Sequence, residues 1–151
     1  MHPNIKPSQR VAVVGAIDPD VHTAATYTTG WIAAKNFFAY MAIIMAGTLG
    51  TNATIDAKIE QATDAAGAGA KDVSGAVITQ MTQAGTDKSD KQAIINLRQS
   101  QLDIANNFTH FRLSMTVATA TSDAGAIVLA MDERYGPASD NDAASVDQIN
   151  N

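Results

Sequence analysis

The chain has 151 residues, no cysteine and a formal charge of −5, with a sequence pI of about 4.9. Without cysteine there is no disulfide, no thiolate metal site and no cysteine nucleophile. Its ten basic residues are scattered, so no basic patch is available to neutralise nucleic-acid phosphates.

The opening, MHPNIKPSQR, carries Pro3 and Pro7 and lacks the apolar segment of a secretory leader. Residues 1–10 read as an extended arm, loose or reaching onto a neighbouring subunit. Residues 11–14 (VAVV) form a short strand that Gly15 should end, and Asp18-Pro19-Asp20 reads as a turn. Residues 26–32 (TYTTGWI) suit a strand with Gly30 at a bulge. Trp31 is the only tryptophan and reads as a core or sheet-edge anchor. The run FFAYMAIIMAGTL (37–49) has 13 residues, short of the roughly 20 that a membrane helix needs. No membrane partner is expected. Residues 37–46 are instead a strand apolar on both faces, covered on both sides or buried on its second face by a partner.

Residues 47–52 are turn-like. Along 54–61, Ile55, Ala57 and Ile59 point inward, while Asp56, Lys58 and Glu60 point out and suit a solvated sheet. The stretch 64–69 (DAAGAG) is a hairpin loop, 72–81 a strand with Gly75 as a bulge, and 85–91 a polar loop. Residues 93–98 (AIINLR) read as a strand that sends Ile95 and Leu97 one way. The alternative is a helix over 90–102 capped by Asp90. Residues 102–107 connect, with room for one helical turn. The clearest strand is 108–119, where Phe111, Leu113, Met115 and Val117 alternate with His110, Arg112, Ser114 and Thr116. Residues 121–123 turn the chain and 124–131 (AGAIVLAM) form the last strand. Beyond Asp132 the chain is polar, with a break at Gly136-Pro137. About eight strands with short turns and no βαβ alternation predict an all-β fold, a β-sandwich or jelly roll. Its domain spans 11–133, between arms at 1–10 and 134–151.

No constellation assembles a catalytic, cofactor-binding or metal site. His2, His22 and His110 are too dispersed for a metal spacing motif. Asp140-Asn141-Asp142 opens like a calcium loop, but the glycine and the bidentate Glu that must follow are missing. No serine sits in a nucleophile elbow. Asp132-Glu133-Arg134 reads as a strand-end ion pair rather than a catalytic acid. The DAAGAG loop lacks the Lys-Ser or Lys-Thr ending of a phosphate loop. Sequons at Asn52 and Asn107 are discounted without a leader. The chain is therefore expected not to be an enzyme and to need no cofactor.

The order of segments carries a resemblance: TGW (29–31), the apolar strand to Gly47, DAKIEQATDAAGAGAKDV (56–73), AIINLR (93–98), FRLSMTV (111–117), and RYGPASDNDAASV (134–146). It resembles small virion structural proteins of tailed bacteriophages, over about residues 26–146. That resemblance implies a capsid decoration, or cement, protein on the phage head surface, made in the host cytoplasm. The implied partner is the major capsid protein, and the implied oligomer is a homotrimer. Composition makes the arms, 1–10 and 134–151, candidates for capsid contact. A head–tail connector or tail component is the first alternative. A carbohydrate-binding β-sandwich is the second, with Trp31, Tyr27, Tyr40 and Tyr135 as its aromatic candidates.

Overall fold

The computed structural model describes residues 4–150. Alternating apolar residues turn about half of this chain into ten strands: β1 (Val11–His22), β2 (Ala25–Thr28), β3 (Ile32–Ala33), β4 (Phe37–Ala46), β5 (Thr54–Ala62), β6 (Lys71–Val77), β7 (Met81–Thr82), β8 (Gln92–Arg98), β9 (His110–Ala118) and β10 (Ser122–Glu133). Two of these, β3 and β7, are two-residue pieces, which leaves the eight longer strands expected from the sequence.

One sheet has the order β1-β10-β4-β8. The other has the order β2-β9-β5-β6, with β3 on β9 and β7 on β5. Every pair is antiparallel. If β2 with β3, and β6 with β7, count as single interrupted strands, the pairing is nested. First meets last, second meets seventh, third meets sixth and fourth meets fifth. A long two-stranded ribbon wound on itself gives this order, and β10–β4 and β9–β5 contacts then close the sheets. This is the jelly roll.

The inner faces supply the core. On β9, Phe111, Leu113, Met115 and Val117 are buried, opposite Ile55, Ala57 and Ile59 on β5 in the same sheet. The facing sheet contributes Tyr40, Ala42 and Ile44 from β4, and Val128 and Ala130 from β10. The Tyr40 and Phe111 rings meet edge-on across the sandwich, 4.5 Å between centroids. Burial pushes the Tyr40 phenol up to about 12, against the opposing effect of its hydrogen bond to the Phe37 carbonyl. Residues 93–98 are a strand, with Ile95 and Leu97 buried. The connection after them holds two short 3-10 turns, Gln99–Gln101 and Ile104–Asn106.

Several local expectations are corrected. Gly15 does not end β1, because the register breaks there and the strand runs on to His22. Asp18-Pro19-Asp20 is a second irregularity within β1, not a turn. An edge strand accepts a proline whose missing N–H would face away from the sheet. Pro19 leans over Gly125, whose missing Cβ would lie 2.8 Å from the proline Cα. Gly30 is no bulge either. It falls in the gap between β2 and β3, where Thr29 continues the pairing: its N–H donates to the Leu113 carbonyl and its hydroxyl accepts from the Leu113 N–H. Gly75 does sit at the expected irregularity between β5 and β6, at φ +77°. Residues 122 and 123 already belong to β10 rather than to a turn.

The polar segment after β10 lies along the β1 edge. The Arg134 N–H donates to the Asn36 carbonyl at 2.8 Å. Ala138 is fully buried. Asp142 Oδ1 accepts from the Val13 N–H at 2.7 Å, and the Ala143 N–H returns to the Val13 carbonyl at 2.6 Å. Both outward-facing backbone groups of Val13 are thus paired, which closes this part of the sheet edge.

Candidate functional site: the outer face of the four-stranded sheet

The two sheets present opposite chemistry to the outside. On the β2-β9-β5-β6 sheet the outward side chains form an ion network. Lys58 Nζ lies 2.7 Å from Asp72 and 3.4 Å from Glu60, and Arg112 Nε donates to Glu60 Oε2 at 2.7 Å. The hydrogen bond to Asp72, reinforced by Glu60, raises the Lys58 pKa. The Arg112 guanidinium also lies 4.5 Å over the Trp31 ring. These charges satisfy one another in water, as expected for residues 54–61.

The outer face of the β1-β10-β4-β8 sheet is apolar. The strand register sets its rows side by side: Val13–Leu129–Met41–Asn96, then Ala16–Ile127–Ile43–Ile94, with Met45 at the end of β4. Each neighbour on the inner face is buried, so these side chains must point out. Ile94 is 56% exposed, Phe38 50% and Met45 40%. Arg134 lies over Phe38, while Ile94 and Met45 stand open to the outside. The doubly apolar strand expected at 37–46 is therefore present, with its second face left open.

Charge is confined to the ends of this face. Asp18, Asp20 and Asp123 gather where β1 ends and β10 begins. Asp20 and Asp123 border an open groove of about 470 Å³ whose apolar walls include Pro19, Val21, Met45 and Gly125. At the opposite end, on the far side of the sheet, stand Arg98 and Arg134. Arg134 lies 4.1 Å over the Phe38 ring and donates to Gln99. Arg98 makes no ion pair among the described residues. Asp132 and Glu133, beside Arg134, are acidic residues at this same end.

The candidate residues weighed from the sequence are not brought together. His22 is buried, stacks on Tyr27 at 4.1 Å and bonds the Asp18 carbonyl through Nε2. His110 is in the other sheet, against the Thr109 hydroxyl. His2 lies outside the described residues. No group of three or more potential metal ligands occurs among the described residues. Asp142 and Asn141 are turned to structural work: Asn141 accepts from Asn36 at 2.6 Å. The strand-end ion pair expected at 132–134 does not form, because the Arg134 guanidinium goes to Phe38 and Gln99. Of the aromatic candidates, Tyr40 is in the core, Trp31 is packed by Arg112 and Gly67, and Tyr135 stands 78% exposed away from both. Asn52 and Asn107, the sequon residues, both occupy left-handed turn positions.

Neither a protein-family model nor a curated protein sequence matches this chain. Solved structures do match in shape. The infectious bursal disease virus VP2 subviral particle aligns at a TM-score of 0.51 and 15% identity, over 82% of this chain and 32% of that one. The broad bean stain virus particle aligns at 0.45 and 12%, over 89% and 91%. The N-terminal cellulose-binding domain of Cellulomonas fimi β-1,4-glucanase C aligns at 0.39 and 15%, over 86% and 82%. The chain spans about a third of the length of the bursal disease virus chains it resembles. The likeness is one of fold: the protein is an all-β jelly-roll sandwich of the kind found in viral capsid proteins.

The sequence signals for the open face were partly visible. Residues 37–46 and 124–131 are apolar at both parities, and Ile94 adjoins Ile95. What the sequence did not show was that all three segments lie in one sheet.

Proposed function

We propose that this chain is a structural virion protein, a decoration subunit on the outer capsid lattice. The observation that carries this reading is the open apolar face of the β1-β10-β4-β8 sheet. A jelly roll with one self-satisfied polar face and one open apolar face is built to associate with protein. The resemblance to phage virion proteins and the capsid-type fold agree with that role. The arms, 1–10 and 134–151, are the candidate capsid contacts. Each subunit would add modest burial, at about 25 cal/mol per Å² of apolar area, multiplied over many copies.

The test is co-sedimentation of the purified protein with capsids that lack it. Saturable binding in hundreds of copies (on the order set by a lattice, against about a dozen for a closed ring) and greater heat resistance are expected. Incorporation only when tails join would replace decoration with a connector role.

A further inference from the structure

Each sheet of the sandwich has two edges, and three of the four are blunted. The β1 edge is closed over Val13 by the segment after β10 and interrupted by Pro19 and two register shifts. The β2–β3 edge comes in pieces of 4 and 2 residues. The β6 edge carries an irregularity with Gly75 at φ +77° and begins with the charged Lys71 and Asp72. The β8 edge has none of these devices. Its register against β4 is unbroken from Gln92 to Arg98, and it holds no proline, no glycine and no charged residue before Arg98.

One hydrogen bond fixes which of its backbone groups face outward. The Ala46 N–H donates to the Lys91 carbonyl at 2.9 Å, so the Lys91 backbone faces β4. Facing alternates along an antiparallel strand. Ala93, Ile95 and Leu97 therefore face β4, while Gln92, Ile94, Asn96 and Arg98 turn their N–H and C=O groups outward. Gln101 Oε1 accepts from the Arg98 N–H at 2.7 Å. On that side Gln92, Ile94 and Asn96 pair with no described strand. Gln92 and Ile94 border an open groove of about 610 Å³ instead. We propose that β8 of a second copy of this chain pairs antiparallel with this edge about a twofold axis at Ile94, joining the two four-stranded sheets into one continuous sheet.

The side chains select that register. With the axis at Ile94, the two Ile94 side chains meet and Gln92 of each copy faces Asn96 of the other. Arg98 of each copy, which has no ion pair among the described residues of its own chain, falls opposite Asp90 of the other. Of the nearby lysines, Lys91 falls opposite Leu97, and Lys88 lies beyond the paired span. An axis at Ala93 would set Gln92 against Ile94, and one at Ile95 would set Ile94 against Asn96. An axis at Gln92 would set Asp90 against Ile94, and one at Asn96 would set Ile94 against Arg98. Only the axis at Ile94 pairs apolar with apolar, amide with amide and acid with base. It also forms about six backbone hydrogen bonds from groups that now face solvent. The contact is one strand wide, so the dimer is expected to be weak and to dissociate on dilution. It rests on the edge and not on the decoration role. A dimer that ignores capsids would remove that role and leave the contact, whereas a monomer that decorates capsids would do the reverse.

The experiment combines cysteine cross-linking with sedimentation velocity on the isolated protein. The chain has no cysteine of its own. The proposed axis holds the two Cα atoms at position 94 about 5.5 Å apart, within disulfide reach. It holds the two at position 92, or the two at position 96, roughly 13 Å apart. Ile94→Cys should therefore cross-link to a dimer on mild oxidation, and Gln92→Cys and Asn96→Cys should not. A mixture of those last two variants should cross-link to each other. In sedimentation over a concentration series the parent chain should dimerise and Ile94→Pro should stay monomeric. The fold accepts a proline there because the N–H at 94 faces away from β4, and circular dichroism with urea unfolding would verify it. If that variant does not fold, the cysteine series decides alone. A parent chain that stays monomeric or forms a trimer, or cross-linking at 92 or 96 as readily as at 94, would overturn the proposal.

Discussion

Asp64, Asp87 and Asp103 show how single side chains hold the turns. Asp64 Oδ1 accepts from the N–H groups of Ala66 and Ala68 at 2.9 and 3.0 Å, and these bonds lower its pKa from the ordinary 3.8. Asp87 is lowered by the Ser89 N–H, and Asp103 by Lys71 at 2.5 Å and then by Asn106. A carboxylate whose folded-state pKa is depressed contributes stability fully above its unfolded value. It loses that contribution as pH falls through the folded value. Stability should therefore hold from neutrality down to about pH 5 and fall below about pH 4. Asp103→Asn should flatten part of that fall, read as urea midpoints at the two pH values. Glycine 67 makes a different point at the same scale. It sits at φ +84°, and a Cβ there would lie 2.6 Å from Trp31 Nε1. The DAAGAG loop is legible as a turn, but the indole packed on it comes from residues more than thirty positions away.

Among the elements, β8 gives the sharpest test of which face is which. Adjacent isoleucines point opposite ways: Ile95 is 5% exposed in the core and Ile94 is 56% exposed on the open face. Ile95→Ala should cost about 2–4 kcal/mol, the range for a buried aliphatic truncation. Ile94→Ala should stay within about 0.5 kcal/mol, as surface changes do. Denaturant midpoints of the two variants, compared with the parent chain, would give both values. Strict period-two patterning made β5, β8 and β9 readable in advance, because each buries one face against the core. The strand β1 was readable only over residues 11–14. Gly15 and Pro19 are ordinary strand-breaking signals, and they are absorbed here because β1 is an edge strand with register breaks at both sites.

For the molecule as a whole, nesting places the first strand beside the last. The β1–β10 pair joins residues a hundred or more positions apart, and β4–β8 and β9–β5 are also distant in sequence. Such pairings incur loop-closure entropy before they gain contacts, so folding should fall in the millisecond-to-second range of all-β domains. Stopped-flow fluorescence of Trp31, held beneath Arg112, would report it. A microsecond phase accounting for the full signal would contradict the nested order as the rate-setting feature.

The sequence by itself determined the strand class, most strand positions and the inward set of β5, β8 and β9. Alternation is a local property, and burial of one face enforces it residue by residue. It also determined that residues 37–46 carry apolar side chains on both sides. Only the tertiary structure decided which strands are neighbours. It set β1, β10, β4 and β8 edge to edge and thereby merged the outward residues of separate segments into one open face. It likewise turned Asp142 from a candidate ligand into a partner of the Val13 backbone. Pairing between distant strands is fixed by closure of the whole sandwich, and no local pattern in the chain encodes it.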